Sequence, residues 1–421
     1  MIKKNKFMLS LLVIALLLAV SFTVAGCGGG DQAKKVTEVK IGNILPLSGS
    51  VAPVGKVSQQ ARDLAVEEIN AQGGIKSLGG AKIKMVYADS KGDPATGVSE
   101  SERLITQEKV ALLTGTYQSG VALPATEVAE RYQVPFYCPV PSEDIITERG
   151  FKYVFRQAEK TTWRNRDQIT FIQDMGKQFG TPVKTVAFIY ENTAWGQGAV
   201  KGWEKYLEGT GIEVILKEPY PTNSSDLTPI VLKVKQANPD VVFMVSYVSD
   251  AALLTNTFAE HKVKPLAFIG TSGGFADPVY FKTTGDNCEY FYDISTWEPD
   301  VNRPFSQEVN KKFTEKYGYG MNAEAVKAYT TMYVIKDALE RAASVDPEAI
   351  RKALSETKLS EGVTQMYASE IVFDESGQMV NAPLIISQFR KVDGKMERVT
   401  VWPAKDARPD WEPVWPFQGW N

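Results

Sequence analysis

The chain has 421 residues, with 47 Lys+Arg against 50 Asp+Glu, a net charge of −3, 23% charged residues and 43% hydrophobic ones. This is the make-up of a globular protein with enough apolar mass for more than one core, and with no charge excess to draw a polyanion, so no nucleic-acid partner is expected. One histidine, His261, and three cysteines, Cys27, Cys138 and Cys288, rule out a His-ligated metal cluster, a Cys-rich zinc module and a disulfide scaffold.

At the N-terminus, Lys3, Lys4 and Lys6 precede an almost wholly apolar run over 7–20. It is shorter than the roughly 20 residues of a membrane-spanning helix and has the length of a secretory h-region. Val24-Ala25-Gly26-Cys27 closes it and resembles a bacterial lipobox, in which the cysteine sulfur is acylated and becomes the first residue after cleavage. Residues 1–26 are therefore expected to be a lipoprotein signal peptide, and Cys27 the lipid attachment point. Gly-rich residues 27–35 are expected to be a flexible tether. The mature protein is then extracytoplasmic and held at the membrane. Cleavage removes three lysines and no carboxylate, leaving 44 Lys+Arg against 50 Asp+Glu and a net charge of −6. Cys138 and Cys288 are expected to be free thiols.

From residue 36, apolar runs of strand length alternate with segments of helical period. The first group of strands is expected over 39–46, 83–88, 110–115, 134–138 and 153–156. A helix over 55–70 gathers Val57, Ala61, Leu64, Ala65 and Ile69 on one face and stops at Gly73-Gly74. Pro94 suits the first turn of a helix reaching about residue 109. The second group of strands is expected over 185–190, 213–219, 240–246, 266–270 and 288–295, with helices over 196–208, 227–237 and 251–261. Beyond them come helices over 323–343 and 347–356 and hairpin-like strands over 370–373 and 384–390. Such alternation predicts α/β architecture, with parallel sheets covered on both faces. Two sets of five strands predict two Rossmann-like lobes with a ligand cleft at the carboxyl ends of their strands. Four tryptophans between Trp402 and Trp420, interleaved with Pro403, Pro409, Pro413 and Pro416, read as a strap packed on the second lobe.

Patterns that suggest chemistry fail on their own terms. Gly270-Thr271-Ser272-Gly273-Gly274 satisfies the G-x-S-x-G elbow, but the hydrolase order places a histidine after the serine, and His261 precedes it. A secreted hydrolase using Ser272 is the weakest reading. Gly49 to Gly55-Lys56 has five intervening residues where a phosphate loop has four, and Val57 stands where a magnesium-binding hydroxyl belongs. No G-x-G-x-x-G occurs, and Asp374-Glu375-Ser376-Gly377 lacks the later ligands of a calcium loop. Neither a cofactor nor a metal is expected, and the chain does not read as an enzyme.

Ile41-Gly42-Asn43-Ile44-Leu45-Pro46-Leu47-Ser48-Gly49 and Glu67-Glu68-Ile69-Asn70-Ala71-Gln72-Gly73-Gly74-Ile75 resemble the opening of leucine/isoleucine/valine-binding type periplasmic solute-binding proteins. The resemblance continues through 89–94, 135–150, 187–198 and 240–270. It implies the type I periplasmic binding fold: two Rossmann-like lobes joined by a three-crossover hinge. Each lobe is then discontinuous, 36–157 plus 296–373 and 158–295 plus 374–421. It also implies an ABC importer that receives an amino acid, or a related small carboxylate or amide, from the closed cleft through its permease subunits. A lipid-anchored sensor feeding a receptor is the alternative output.

The resemblance carries a site. Ser119, next to Gln118, falls on the family's serine that holds the ligand carboxylate; as an ordinary residue it would cap the following helix. Val140, Pro141 and Ser142 match the second ligand loop, with Ser142 in place of a threonine, or again a cap. Trp195 stands at a tyrosine that covers the ligand, and Tyr247 matches a cleft tyrosine. The family's acidic partner for the ligand ammonium falls at Ser272, which cannot neutralise a buried cation. Val54 replaces a cleft aromatic, and Thr161 an aspartate. Either the ligand lacks an amino group or another carboxylate, Glu324 or Asp250, takes over. Helix carboxylates mostly lie at the surface, which is the expectation for both.

Overall fold

A computed structural model describes residues 36–420. The expected signal peptide, tether and Cys27 lie outside the described residues.

The chain first lays down β1 (Glu38–Leu45), α1 (Ala52–Ala71), β2 (Lys82–Asp89), α2 (Pro94–Thr106), β3 (Leu112–Gly115), α3 (Ser119–Tyr132), β4 (Phe136–Cys138) and β5 (Val154–Arg156). The strands form a parallel sheet in the order β2-β1-β3-β4-β5. Local chemistry sets the helix starts. Pro94 occupies the first turn of α2, and Asp93 Oδ1 accepts from Thr96 N at 2.7 Å.

Next come α4 (Thr161–Gln178), β6 (Thr185–Glu191), α5 (Ala194–Leu207), β7 (Glu213–Tyr220), α6 (Thr228–Ala237), β8 (Val241–Val245), α7 (Val248–Glu260), β9 (Ala267–Gly270), α8 (Pro278–Thr284) and β10 (Tyr292–Ser295). The chain then supplies α9 (Ser306–Tyr317), α10 (Ala323–Ala342), α11 (Pro347–Ser355), β11 (Lys358–Leu359) and β12 (Ile371–Val372), and closes with β13 (Ile385–Val392) and β14 (Lys395–Trp402). The second sheet runs β14-β13-β10-β9-β8-β6-β7, with β13 antiparallel to its neighbours β10 and β14 and the other pairings parallel. All five residues of β8 are buried, as a central strand covered on both faces requires.

The two expected sets of strands each form one sheet. α9 and α10 return to the first sheet's side, where α10 lies along α1, so the chain crosses between lobes after β5, after β10 and after β12. Past β12, Arg156 N still donates to Gly377 O at 2.8 Å and Met379 N to Arg156 O at 2.9 Å, and pairing with the second sheet begins only at Ile385. The expected hairpin between 370–373 and 384–390 does not form. β12 pairs with β11, and β13 turns into β14 through Asp393-Gly394, both at positive φ, as a two-residue hairpin turn requires. The charged start of β14, Lys395-Met396-Glu397-Arg398, masks the strand in the sequence.

The tail straps the second lobe. Trp415 packs edge-on to Phe171 at 6.3 Å, and Phe417 and Trp420 cover Phe268 and Phe291. Cys138 and Cys288 are free and buried.

Candidate functional site

Loops at the carboxyl ends of strands from both sheets converge on one cleft with about 300 Å³ of empty space, part of it open to solvent. From the first lobe, the loop after β3 brings Tyr117 and Ser119 and the loop after β4 brings Val140 and Ser142. From the second, Trp195 opens α5, Tyr247 precedes α7 and Gly273 follows β9. Arg164 on α4 and Glu324 on α10 complete the wall.

The aromatic side is continuous. The Tyr247 ring lies 5.9 Å from that of Tyr117 and 5.3 Å from that of Trp195. Gly273 has φ +57, and a Cβ there would run into the Trp195 indole, so the close approach requires glycine. Trp195 lines the cavity and is also core, buried to 5% exposure within the second lobe's apolar cluster.

The polar side is a charge cluster. Glu159, fully buried, is paired with Arg164 and accepts from Lys327 Nζ at 3.1 Å. Burial pushes the Glu159 carboxyl up, but Arg164 and Lys327 hold it below its ordinary value. Burial likewise lowers Lys327. Glu324 lies in the first turn of α10, whose start Asn322 caps by accepting from Ala325 N at 2.9 Å. Among the described residues its one hydrogen-bond partner is Ser272 Oγ, at 3.4 Å.

Several expectations change. Ser119 is the first residue of α3, not its cap; its Oγ accepts from Glu143 N at 3.3 Å. Ser142 caps no helix and instead bonds Thr161 Oγ1 at 3.0 Å, which joins the second loop to the start of α4. Gln118 and Pro141 do not line the cavity. Pro141 is buried, and Gln118 borders a neighbouring depression with Lys91, Thr193 and Asn223, beyond the Tyr247 ring. Ser272 stands behind Gly273, its N–H donated to Asp293 Oδ1 at 2.6 Å. Neither Glu324 (2% exposed) nor Asp250 (1%) is at the surface. The Asp250 carboxylate accepts from Asn223 N and Ser224 N, which occupies it away from the cavity. Val54 is buried outside the cavity wall. The hydrolase reading of Ser272 fails as well. His261 sits at the far end of the 13-residue α7 from Tyr247, about 20 Å along the helix.

Sequence reasoning missed Tyr117, Arg164 and Gly273. Tyr117 lies two residues before Ser119 in a loop already marked out. Arg164 had no signal, because the buried face of α4 carries Arg164, Asn165 and Gln168 and shows no apolar period at that end.

Glu143 bridges the lobes at the cleft edge: a Cβ on Gly198 of α5 would run into its carboxylate, and Glu143 Oε2 is buried without a partner. Burial and neighbouring Asp144 push its pKa up to about 7, against the pull of Arg156 and Lys201. A raised carboxyl pKa means that the folded state binds more protons than the unfolded one, so stability falls as pH rises from about 4.5 to about 7. Glu143→Gln is expected to remove that slope and to gain on the order of 1–2 kcal/mol at pH 8, with little change at pH 4.5. Urea melts at the two pH values check this.

A sequence profile described as "Periplasmic binding protein" matches residues 38–394. The chain belongs to the periplasmic binding protein family. The Leu/Ile/Val-binding protein homolog 7 of Brucella suis is 32% identical to this binding protein over 398 residues, covering 92% of this chain and 95% of the relative. Among solved structures, the branched-chain amino acid binding protein LivJ of Streptococcus pneumoniae, in complex with isoleucine, superposes with a TM-score of 0.75 at 23% identity, covering 86% and 99% of the two chains. A solute-binding protein of an ABC transporter from Rhodopseudomonas palustris, in complex with 3,4-dihydroxybenzoic acid, gives 0.77 at 22% identity, covering 89% and 99%. The fold is that of a type I periplasmic binding protein, which works outside the cytoplasm and binds solutes without catalysing their conversion.

Proposed function

We propose that this binding protein receives an amino acid for an ABC importer, held at the membrane by a lipid on Cys27 and passing its solute to the permease from the closed cleft. The ligand carboxylate sits at the start of α3, against Ser119 and the first backbone N–H groups, with Ser142 beside it. The ammonium group sits on Glu324. Tyr117, Trp195 and Tyr247 surround the side chain.

The observation that carries this reading is that Glu324 has no cationic partner among the described residues. Beside the cavity, Glu159 engages both Arg164 and Lys327 by hydrogen bond or ion pair, and Glu324 engages neither. A zwitterion supplies Glu324 with a cation and leaves the net charge of the site unchanged. A carboxylate without an amino group would bring an uncompensated charge into a buried site, which is costly. The relatives bind both kinds of solute, isoleucine in one and 3,4-dihydroxybenzoic acid in the other, so the fold alone does not choose.

The test compares amino acids with their deaminated counterparts by titration calorimetry: leucine against 4-methylpentanoate, asparagine against 3-carbamoylpropanoate. The amino acid of a binding pair is expected to be held at least about 100-fold more tightly. Equal or weaker binding would remove the ammonium from the site.

A further inference from the structure

Two buried polar atoms at the cavity have no partner. Tyr117 Oη and Trp195 Nε1 are both buried and make no hydrogen bond, and both residues line the cavity. An indole N–H donates and cannot accept, so only an acceptor satisfies it. Buried polar side-chain atoms are paired in the large majority of cases, and those that are not call for an explanation. Four other polar side chains of the wall are engaged: Ser119 by Glu143 N, Ser142 by Thr161, Arg164 by Glu159, Glu324 by Ser272. The two orphans come from opposite lobes, Tyr117 from the loop after β3 and Trp195 from the start of α5. Both rings lie against Tyr247.

The side chain of leucine, isoleucine or valine would leave both atoms unpaired on the aromatic side of the cleft. We propose that the solute's side chain carries a hydrogen-bond acceptor, an amide carbonyl or hydroxyl oxygen, held jointly by Tyr117 Oη and Trp195 Nε1. The pair then selects a polar amino acid over an aliphatic one. Because the donors come from different lobes, the acceptor is fully bound only when the cleft is shut. This rests on the amino-acid reading above and narrows it.

Isosteric pairs test it by calorimetry on the mature chain: asparagine against leucine and threonine against valine. These pairs differ mainly in side-chain polarity. The polar member of at least one pair is expected to bind at least about tenfold more tightly, because a site built to bond a polar group rejects the analogue lacking it. In the Tyr117→Phe, Trp195→Phe double variant the preference is expected to shrink to about twofold or less. If that variant does not fold, Tyr117→Phe alone, which removes one oxygen, is expected to reduce it. Equal or tighter binding of leucine and valine overturns the proposal, as does a preference that survives loss of both donors. If only deaminated acids bind, the amino-acid reading fails by itself. The acceptor is then judged from 3-carbamoylpropanoate against 4-methylpentanoate, where a preference for the carbamoyl acid upholds it and none overturns it. Binding of neither member of any pair overturns both.

Discussion

A Glu159→Gln variant is expected to lose about 3–5 kcal/mol of folding stability, the usual cost of removing one side of a buried ion pair. Glu159 follows β5 in the first crossover, Arg164 lies on α4 and Lys327 on α10, so one carboxylate ties three elements that belong to different lobes. All three side chains are buried, and without Glu159 two cations stay in the interior with no anion bonded to them. Lys327 already has a lowered pKa from burial. In the variant it falls further, and the sign follows. The unfolded chain then binds more protons than the folded one, so the variant regains stability as pH rises through the alkaline range in which lysine titrates. Urea unfolding at pH 7 and at pH 9.5 reads both effects. A loss under about 1 kcal/mol at pH 7, or one that grows at pH 9.5, would contradict this account. Adding Lys327→Met is expected to return part of the loss, because Arg164 is then the single unpaired charge.

The second large effect is on binding. Glu324→Gln keeps the shape of the wall and removes the charge proposed to face the ammonium. Affinity for the best-bound amino acid is expected to fall about 30- to 1,000-fold, on the order of 2–4 kcal/mol. The melting temperature of the free protein should hardly move, since Glu324 has Ser272 Oγ as its single hydrogen-bond partner among the described residues. The same variant should bind the deaminated acid no worse than the parent does. Parallel loss of both ligands would mean that the substitution damaged the cleft in general.

Much of this organisation is legible in the sequence because it rests on local chemistry. The ten strands of the two α/β halves follow from runs rich in apolar residues, buried in the inner strands and half-exposed in the edge strands β2 and β7, and loops beyond their carboxyl ends place Ser119, Val140, Ser142, Trp195 and Tyr247 at the cavity. Features that depend on what the chain meets in space are not legible. α4 buries Arg164, Asn165 and Gln168, of which Arg164 pairs with Glu159 and Gln168 bonds Gly270 O and Trp203 Nε1, so its inner face carries no apolar stripe at that end. β14 starts with charges, one of which, Arg398, turns inward to pair with Asp293 at 2.5 Å. Glu324 is the instructive case: a carboxylate on a helix argues for the surface by type, and burial at the cleft depends on Ser272 and on the buried charges beside it. The aromatic residues of the tail were legible as a strap because four tryptophans among prolines have no helical or strand period to follow.

The three crossovers also govern the order in which the molecule can be assembled. β1 to β5 are complete by residue 156, yet α10, which lies along α1, arrives only at residues 323–342. β10 likewise waits some ninety residues for β13, its antiparallel neighbour, at residues 385–392. Neither lobe can bury its full surface while the chain is still emerging. Pairings so distant in sequence carry a loop-closure cost that slows folding. A chain delivered across a membrane from its N-terminus would therefore stay largely open until its last hundred residues were through, and would then complete both lobes and the hinge between them together.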